Sequence, residues 1–226
     1  MKIRSFVIAY ALVLAILLFA DRRPGSAQQD RYSHVIDLTE GHDLNAVSAA
    51  SSTRIIAPAA LIPGTWAAGQ IPAERLIAPL VVMDLAAGPN QSRESTAQIS
   101  LDDIAAWEAH HGKIPQGAVV AIRRTPAGTI SPAALPVQFP IAPDAAEFLI
   151  DARNTIGFAL EMPLDLTSDQ KFDRNLGRQL ALHGDYVVAG AAPFTALPAS
   201  GSLIIVAPSK DKKPGEVPVR ILAMVH

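Results

Sequence analysis

His42 and Asp43 lie shortly ahead of Ser51, Ser52 and Thr53, and together these residues could supply the base, the orienting acid and the hydroxyl nucleophile of an acyl-transfer site. Side chains adjacent in sequence point apart more often than they form the base-orienter bond a triad needs. Arg54 follows directly. Its guanidinium could bind the carboxylate of a small anionic ligand, or it could pair with an acid of the chain such as Glu74, the more frequent outcome for a lone arginine. The remaining histidines do not cluster in sequence. His34 opens an apolar run, His110 and His111 precede Gly112, His183 precedes Gly184, and His226 is the last residue. Three of these stand where positive charge suits a helix end. The chain has no cysteine, which removes disulfides, thiolate metal sites and a cysteine nucleophile.

The elements that must position these residues are legible from periodicity. Seven apolar, β-branched runs predict strands over 34–38, 79–85, 118–122, 155–160, 186–190, 203–207 and 219–225. Three helices are predicted between them. The first follows Ser100 as N-cap, with Asp102 and Asp103 in its first turn, Ile104 and Trp107 on one face and Gly112 as its stop. The second starts at Pro143 and places Ala145, Phe148, Leu149 and Ala152 at helical spacing. The third covers about 172–183, with Leu176 and Leu180 inward and Gly184 at its end. Strands alternating with helices, without an internal repeat, predict one α/β domain with a mixed β-sheet flanked by helices.

Bulk composition narrows the partners. Half of the 226 residues are apolar and 18% are charged, as in a compact globular chain. Lys2, Arg4, Arg22 and Arg23 stand against Asp21 in residues 1–27, so 28–226 carry 15 basic and 20 acidic side chains. That balance, with 5% aromatic residues, excludes a phosphate-reading or base-stacking surface, and no nucleic-acid partner is expected. The uncharged apolar run 5–20 behind Lys2 and Arg4, followed by Gly25, Ser26 and Ala27, reads as a signal peptide. The domain is then 28–226 and the protein is exported, periplasmic or secreted. The alternative is a membrane anchor formed by 5–20, and no membrane contact is expected beyond that segment.

Several segments resemble one family in their order. Leu61-Ile62-Pro63-Gly64 and Ile71-Pro72-Ala73-Glu74-Arg75-Leu76, then the apolar strand ending in Asp84, resemble the proline-glycine turn and I-P-x-E-x-L segment of the cyclase / kynurenine formamidase family. Ile99 to Trp107, Gly112 to Val120, and the tail from Leu197 to Ala223 are similar to its later helix and strands. The resemblance covers roughly 34–226. It implies a single-domain α/β fold, zinc- or manganese-dependent hydrolysis of small amides, and self-association.

The family's signature H-x-G-T-H-x-D-x-P-x-H precedes its I-P-x-E-x-L segment. Anchored on Thr53 and Pro58, it falls here on Ala50, Ser52, Thr53, Arg54, Ile56, Pro58 and Ala60. The family's later histidine and glutamate fall on Gly177 and Ala189, and its D-L-S/T opening survives as Asp37-Leu38-Thr39. The metal positions implied by the resemblance are therefore Ala50, Arg54, Ile56, Ala60, Gly177 and Ala189, none of which can donate to zinc or manganese, and Arg54 would repel a divalent cation. No cofactor is expected. The resulting expectation is a degenerate, non-catalytic family member acting as a binding or assembly partner, as a homodimer or with an intact paralogue. The alternatives are a hydrolase of small amides or esters with a relocated site, and an anion-binding module built on Arg54. If the alignment holds, Ile56 and Ala60 are mostly buried beside Gly177 and Ala189.

Overall fold

A computed structural model describes residues 34–41, 52–85, 98–124, 139–164, 173–210, 212 and 215–226. The proposed signal segment, Ala50, Ser51 and the His42-Asp43 pair lie outside these residues. No helix among the described residues is long and apolar enough to cross a membrane.

Among the described residues eight strands form one sheet: β1 (His34–Asp37), β2 (Arg54–Ile56), β3 (Ile77–Leu85), β4 (Val119–Arg124), β5 (Gly157–Leu160), β6 (Tyr186–Ala189), β7 (Ser202–Pro208) and β8 (Glu216–Val225). Strands β3, β4, β5 and β6 run parallel. The antiparallel β7 and β8 extend beyond β3, while β2 pairs antiparallel with both β6 and β8. The order β8-β2-β6-β5-β4-β3-β7 returns to β8, so the expected mixed sheet is closed into a seven-stranded barrel, with β1 continuing the β2 edge along β8.

Alternation of side chains sorts the apolar residues into two layers. One set of each strand's residues, including Ile55, Leu80, Ala121, Ala159, Val188 and Ile221, fills the barrel interior. The alternate set, including Ile56, Val81, Ile122, Leu160 and Val187, packs outward against helices. Those helices are α1 (Pro58–Leu61), α2 (Leu101–His111), α3 (Pro143–Arg153) and α4 (Arg174–His183).

The helix ends follow from local chemistry. Ser100 Oγ accepts from the Asp103 amide at 3.2 Å while Asp103 accepts from the Ser100 amide at 2.8 Å, a reciprocal cap. Asp173 Oδ1 accepts from the Asn175 and Leu176 amides, which starts α4 two residues later than the expected boundary. Residue 172 is outside the described set. In α3, Ala145 and Leu149 are buried as expected, but Ala152 is exposed and Phe148 only half-buried. Ala146 and Ile150 take the inner face instead, because the helix sits between α4 and α2 and needs a broader apolar stripe than one i, i+4 row. Strand β2 and helix α1 were not anticipated.

Candidate functional site

β2 is three residues long, and it joins the last parallel strand to the last antiparallel one. Arg54 pairs with Ala189 of β6 on one side and Pro218 of β8 on the other; Ile56 pairs with Val187 and Glu216. Residues opposite each other in an antiparallel pair share a face, so Arg54, Ile56 and Ala189 all lie on the outer, helix-covered face. Ile56 is fully buried, and it and Ala189 belong to the apolar cluster that includes Leu176 and Leu180 of α4. Gly177 is buried on the same helix, and α1, which carries Ala60, lies against α4. Ala60 is only half-buried, contrary to expectation, because the short α1 ends one residue later and its last turn meets solvent. Five of the six sequence-predicted positions are thus gathered in one sheet–helix layer; Ala50 lies outside the described residues.

Arg54 does not pair with Glu74, which is exposed on the turn Ala73–Arg75. Its partner is Glu216, at 2.9 Å, and both side chains are about one quarter exposed. The pair is diagonal across β2 and β8: Glu216 stands opposite Ile56, two residues along the same face from Arg54. A contact between residues so far apart in sequence leaves no local signal.

The hydroxyls proposed as nucleophiles have different surroundings. Thr53 donates to the Gly190 carbonyl and accepts from the Glu40 amide, both at 2.7 Å, and its own carbonyl accepts from the Val219 amide. Thr53 is therefore committed to the barrel seam. Thr39 acts similarly, with its hydroxyl exchanging hydrogen bonds with the backbone of Ile221. The surviving D-L-T segment joins β1 to β8. Ser52 Oγ is buried and has no hydrogen-bond partner among the described residues.

These residues do not fit a metal. Ile56, Ala60, Gly177 and Ala189 carry no lone-pair donor, and Arg54 presents a cation already neutralised by Glu216. No group of three or more His, Cys, Asp or Glu among the described residues could hold an ion.

Two further polar constellations were missed by sequence reasoning. At the carboxyl ends of β3 and β4, Arg123 binds Asp84 through two bonds of 2.6 and 2.9 Å and donates to the Leu197 carbonyl at 2.9 Å. The guanidinium holds the Asp84 carboxyl below its ordinary range. Through its Phe194 and Leu197 bonds this arginine ties the strand ends to the turn Phe194–Ala196. At the far end of α4, Arg75 reaches Asp185, which is almost completely buried, at 2.7 Å. Both sites join residues about 40 to 110 positions apart, and only the fold brings them together.

The family model described as "Putative cyclase" matches residues 17–164. Among curated proteins, the isatin hydrolase of Roseibium aggregatum is 29% identical over 174 residues, which is 67% of this chain and 61% of that protein. The chain thus spans less than two thirds of that relative's length in the alignment. Among solved structures, isatin hydrolase A from Labrenzia aggregata bound to benzyl benzoate is similar with a TM-score of 0.67 at 23% identity, covering 96% of this chain and 99% of that one. Isatin hydrolase A from Ralstonia solanacearum gives 0.66 at 21%, covering 96% and 97%. A structure described as a potential metal-dependent hydrolase with cyclase activity gives 0.56 at 20%, covering 85% and 98%.

Proposed function

The chain belongs to the Cyclase family and is related to isatin hydrolase, and from that premise we propose that it is an exported family member without metal-dependent hydrolysis, serving as a binding or assembly partner. The observation that carries this reading is the layer around β2. Ile56 and Ala189 are packed into apolar core against α4, and Arg54, the cation among the family's metal positions, is held by Glu216. A hydrolytic metal centre needs three or four converging donors and an open position for water. Replacing such donors with apolar side chains also removes the desolvation cost they would otherwise impose on a site without its ion. Without that chemistry, the domain would act by pairing with a second copy or with an intact paralogue.

The experiment is direct. Purified residues 28–226, incubated with zinc or manganese, should hydrolyse neither isatin nor an N-formyl arylamine, and light scattering should report a dimer. Metal-stimulated turnover abolished by a chelator would overturn the non-catalytic reading. One observation favours a second reading, the hydrolase of small amides or esters with a relocated site: Ser52 Oγ is buried without a partner among the described residues, on the segment leading into β2. Chelator-resistant hydrolysis lost in Ser52→Ala would establish it. The anion-binding reading is less favoured, since an anion would have to displace Glu216 from Arg54.

A further inference from the structure

The C-terminal end of α4 carries an arrangement unrelated to the site above. Gly184 sits in the left-handed conformation, φ 75°; its amide donates to Ala181 and the Asp185 amide donates to Leu180 at 2.8 Å. This is the Schellman pattern, in which the residue after the glycine is commonly apolar and packs back on the helix. Here that residue is Asp185, only 1% exposed.

Arg75 answers it from the turn Ala73–Arg75. One nitrogen, Nη2, donates to Asp185 Oδ1 at 2.7 Å, to the Gly184 carbonyl at 3.2 Å and to the His183 carbonyl at 3.4 Å. The guanidinium thus closes the negative end of the helix as well as the carboxylate. The pairing is incomplete, however. Asp185 Oδ2 and Arg75 Nε are both buried and have no hydrogen-bond partner among the described residues, so the bidentate fork that would compensate a buried carboxylate is not formed.

A guanidinium stays charged at any accessible pH, so the carboxylate is the member able to shed its buried charge, by taking a proton on Oδ2. We infer that Arg75 and Asp185 form a proton-operated latch, which fastens the turn Ala73–Arg75 and Trp66 to the end of α4 and loosens when Asp185 loses its proton. Trp66 belongs to the moving part. Its ring covers Gly184 so closely that a Cβ there would lie 2.6 Å from it, and Arg75 stands 5.9 Å from the ring centroid. The Trp66 carbonyl accepts from the Ala59 amide in α1, so the latch links the two helices that carry Ala60 and Gly177.

The groups facing Asp185 come from each neighbouring element. Arg75 comes from the turn; Asp151 comes from α3, where His183 of α4 approaches it at 3.4 Å; Tyr186 on β6 donates its hydroxyl to the Arg75 carbonyl at 2.9 Å. Burial pushes the Asp185 carboxyl up to about 7 despite the attraction of Arg75, and Asp151 adds repulsion. Burial also raises the Tyr186 hydroxyl, which stays a neutral donor. Because the folded value lies above the ordinary 3.8, the stability this group contributes is complete in acid and is lost as pH rises through about 7.

The test is a carboxyl and indole NMR titration of the full domain. The Asp185 carboxyl carbon should titrate within about one pH unit of 7, and the Trp66 indole signal, identified by its loss in Trp66→Phe, should shift with the same midpoint. Asp185→Asn should leave the indole signal flat, while His183→Asn should retain the transition. An Asp185 carboxyl titrating below about pH 5, an indole signal that is flat in the wild type, or a transition that vanishes in His183→Asn would overturn the latch. If Asp185→Asn does not fold, the wild-type carboxyl and indole midpoints decide by their agreement.

Discussion

Two arginine–carboxylate pairs serve this molecule differently. Arg54 and Glu216 meet at the barrel seam with about a quarter of each side chain in solvent, so water shares the stabilisation of both charges. Arg75 and Asp185 meet at a similar distance, 2.7 Å against 2.9 Å, yet Asp185 is almost wholly excluded from water. The first pair neutralises a cation left in an apolar layer. The second holds a carboxylate whose ionisation is opposed by its surroundings. Distance alone therefore says little about an ion pair: hydration and the count of satisfied oxygens decide whether it is inert or titratable.

The comparison can be broken most forcefully at Ile56. Ile56→Asp would place a carboxylate at a fully buried position and should cost about 3–5 kcal/mol in urea unfolding, with no recovery on adding zinc or manganese. Stability restored by either metal would show that the seam layer still accepts an ion. At the other region, Gly184→Ala combines a positive φ with a Cβ 2.6 Å from Trp66 and should cost about 2 kcal/mol. Paired with Trp66→Ala the two losses should be less than additive, and strict additivity in a double-mutant cycle would remove the proposed contact.

A third carboxylate supplies the opposite sign to Asp185. Glu108 accepts two bonds from Arg153, at 2.6 and 2.7 Å, and one from the Ile114 amide, and its pKa falls to about 2, chiefly through Arg153. Its contribution is present above the ordinary 4.5 and is lost as pH falls towards 2. Glu108→Gln should cost about 1.5 kcal/mol at pH 7 and flatten the decline in melting temperature below pH 4.5. An unchanged acid limb would show that this pair does not control it. The smallest effect is expected at Arg54: Arg54→Ala and Glu216→Gln should each cost under about 1 kcal/mol, the same residual cost applying to both together. A large loss that salt does not reduce would place the seam pair in the buried class beside Asp185.

The sequence by itself determined which segments become strands and helices. Seven of the eight strands announced themselves through β-branched runs between breakers, and Ser100, Pro143, Gly112 and Gly184 marked helix ends by chemistry that acts within a few residues. The order of segments was enough to indicate the family. β2 was invisible because three residues are too few for a period, and its stability comes from neighbours on both sides. Barrel closure was equally hidden, since β7 meeting both β3 and β8 is a statement about long-range pairing. The candidate site divided in the same way. The residue types at Arg54, Ile56, Ala60, Gly177 and Ala189 could be read directly, but Glu216 as the partner of Arg54, and the buried Arg75–Asp185 pair, could not. Strand register and burial set those contacts, and both are properties of the closed sheet: a side chain's charge is written in the sequence, whereas its hydration and its partner exist only once distant strands have met.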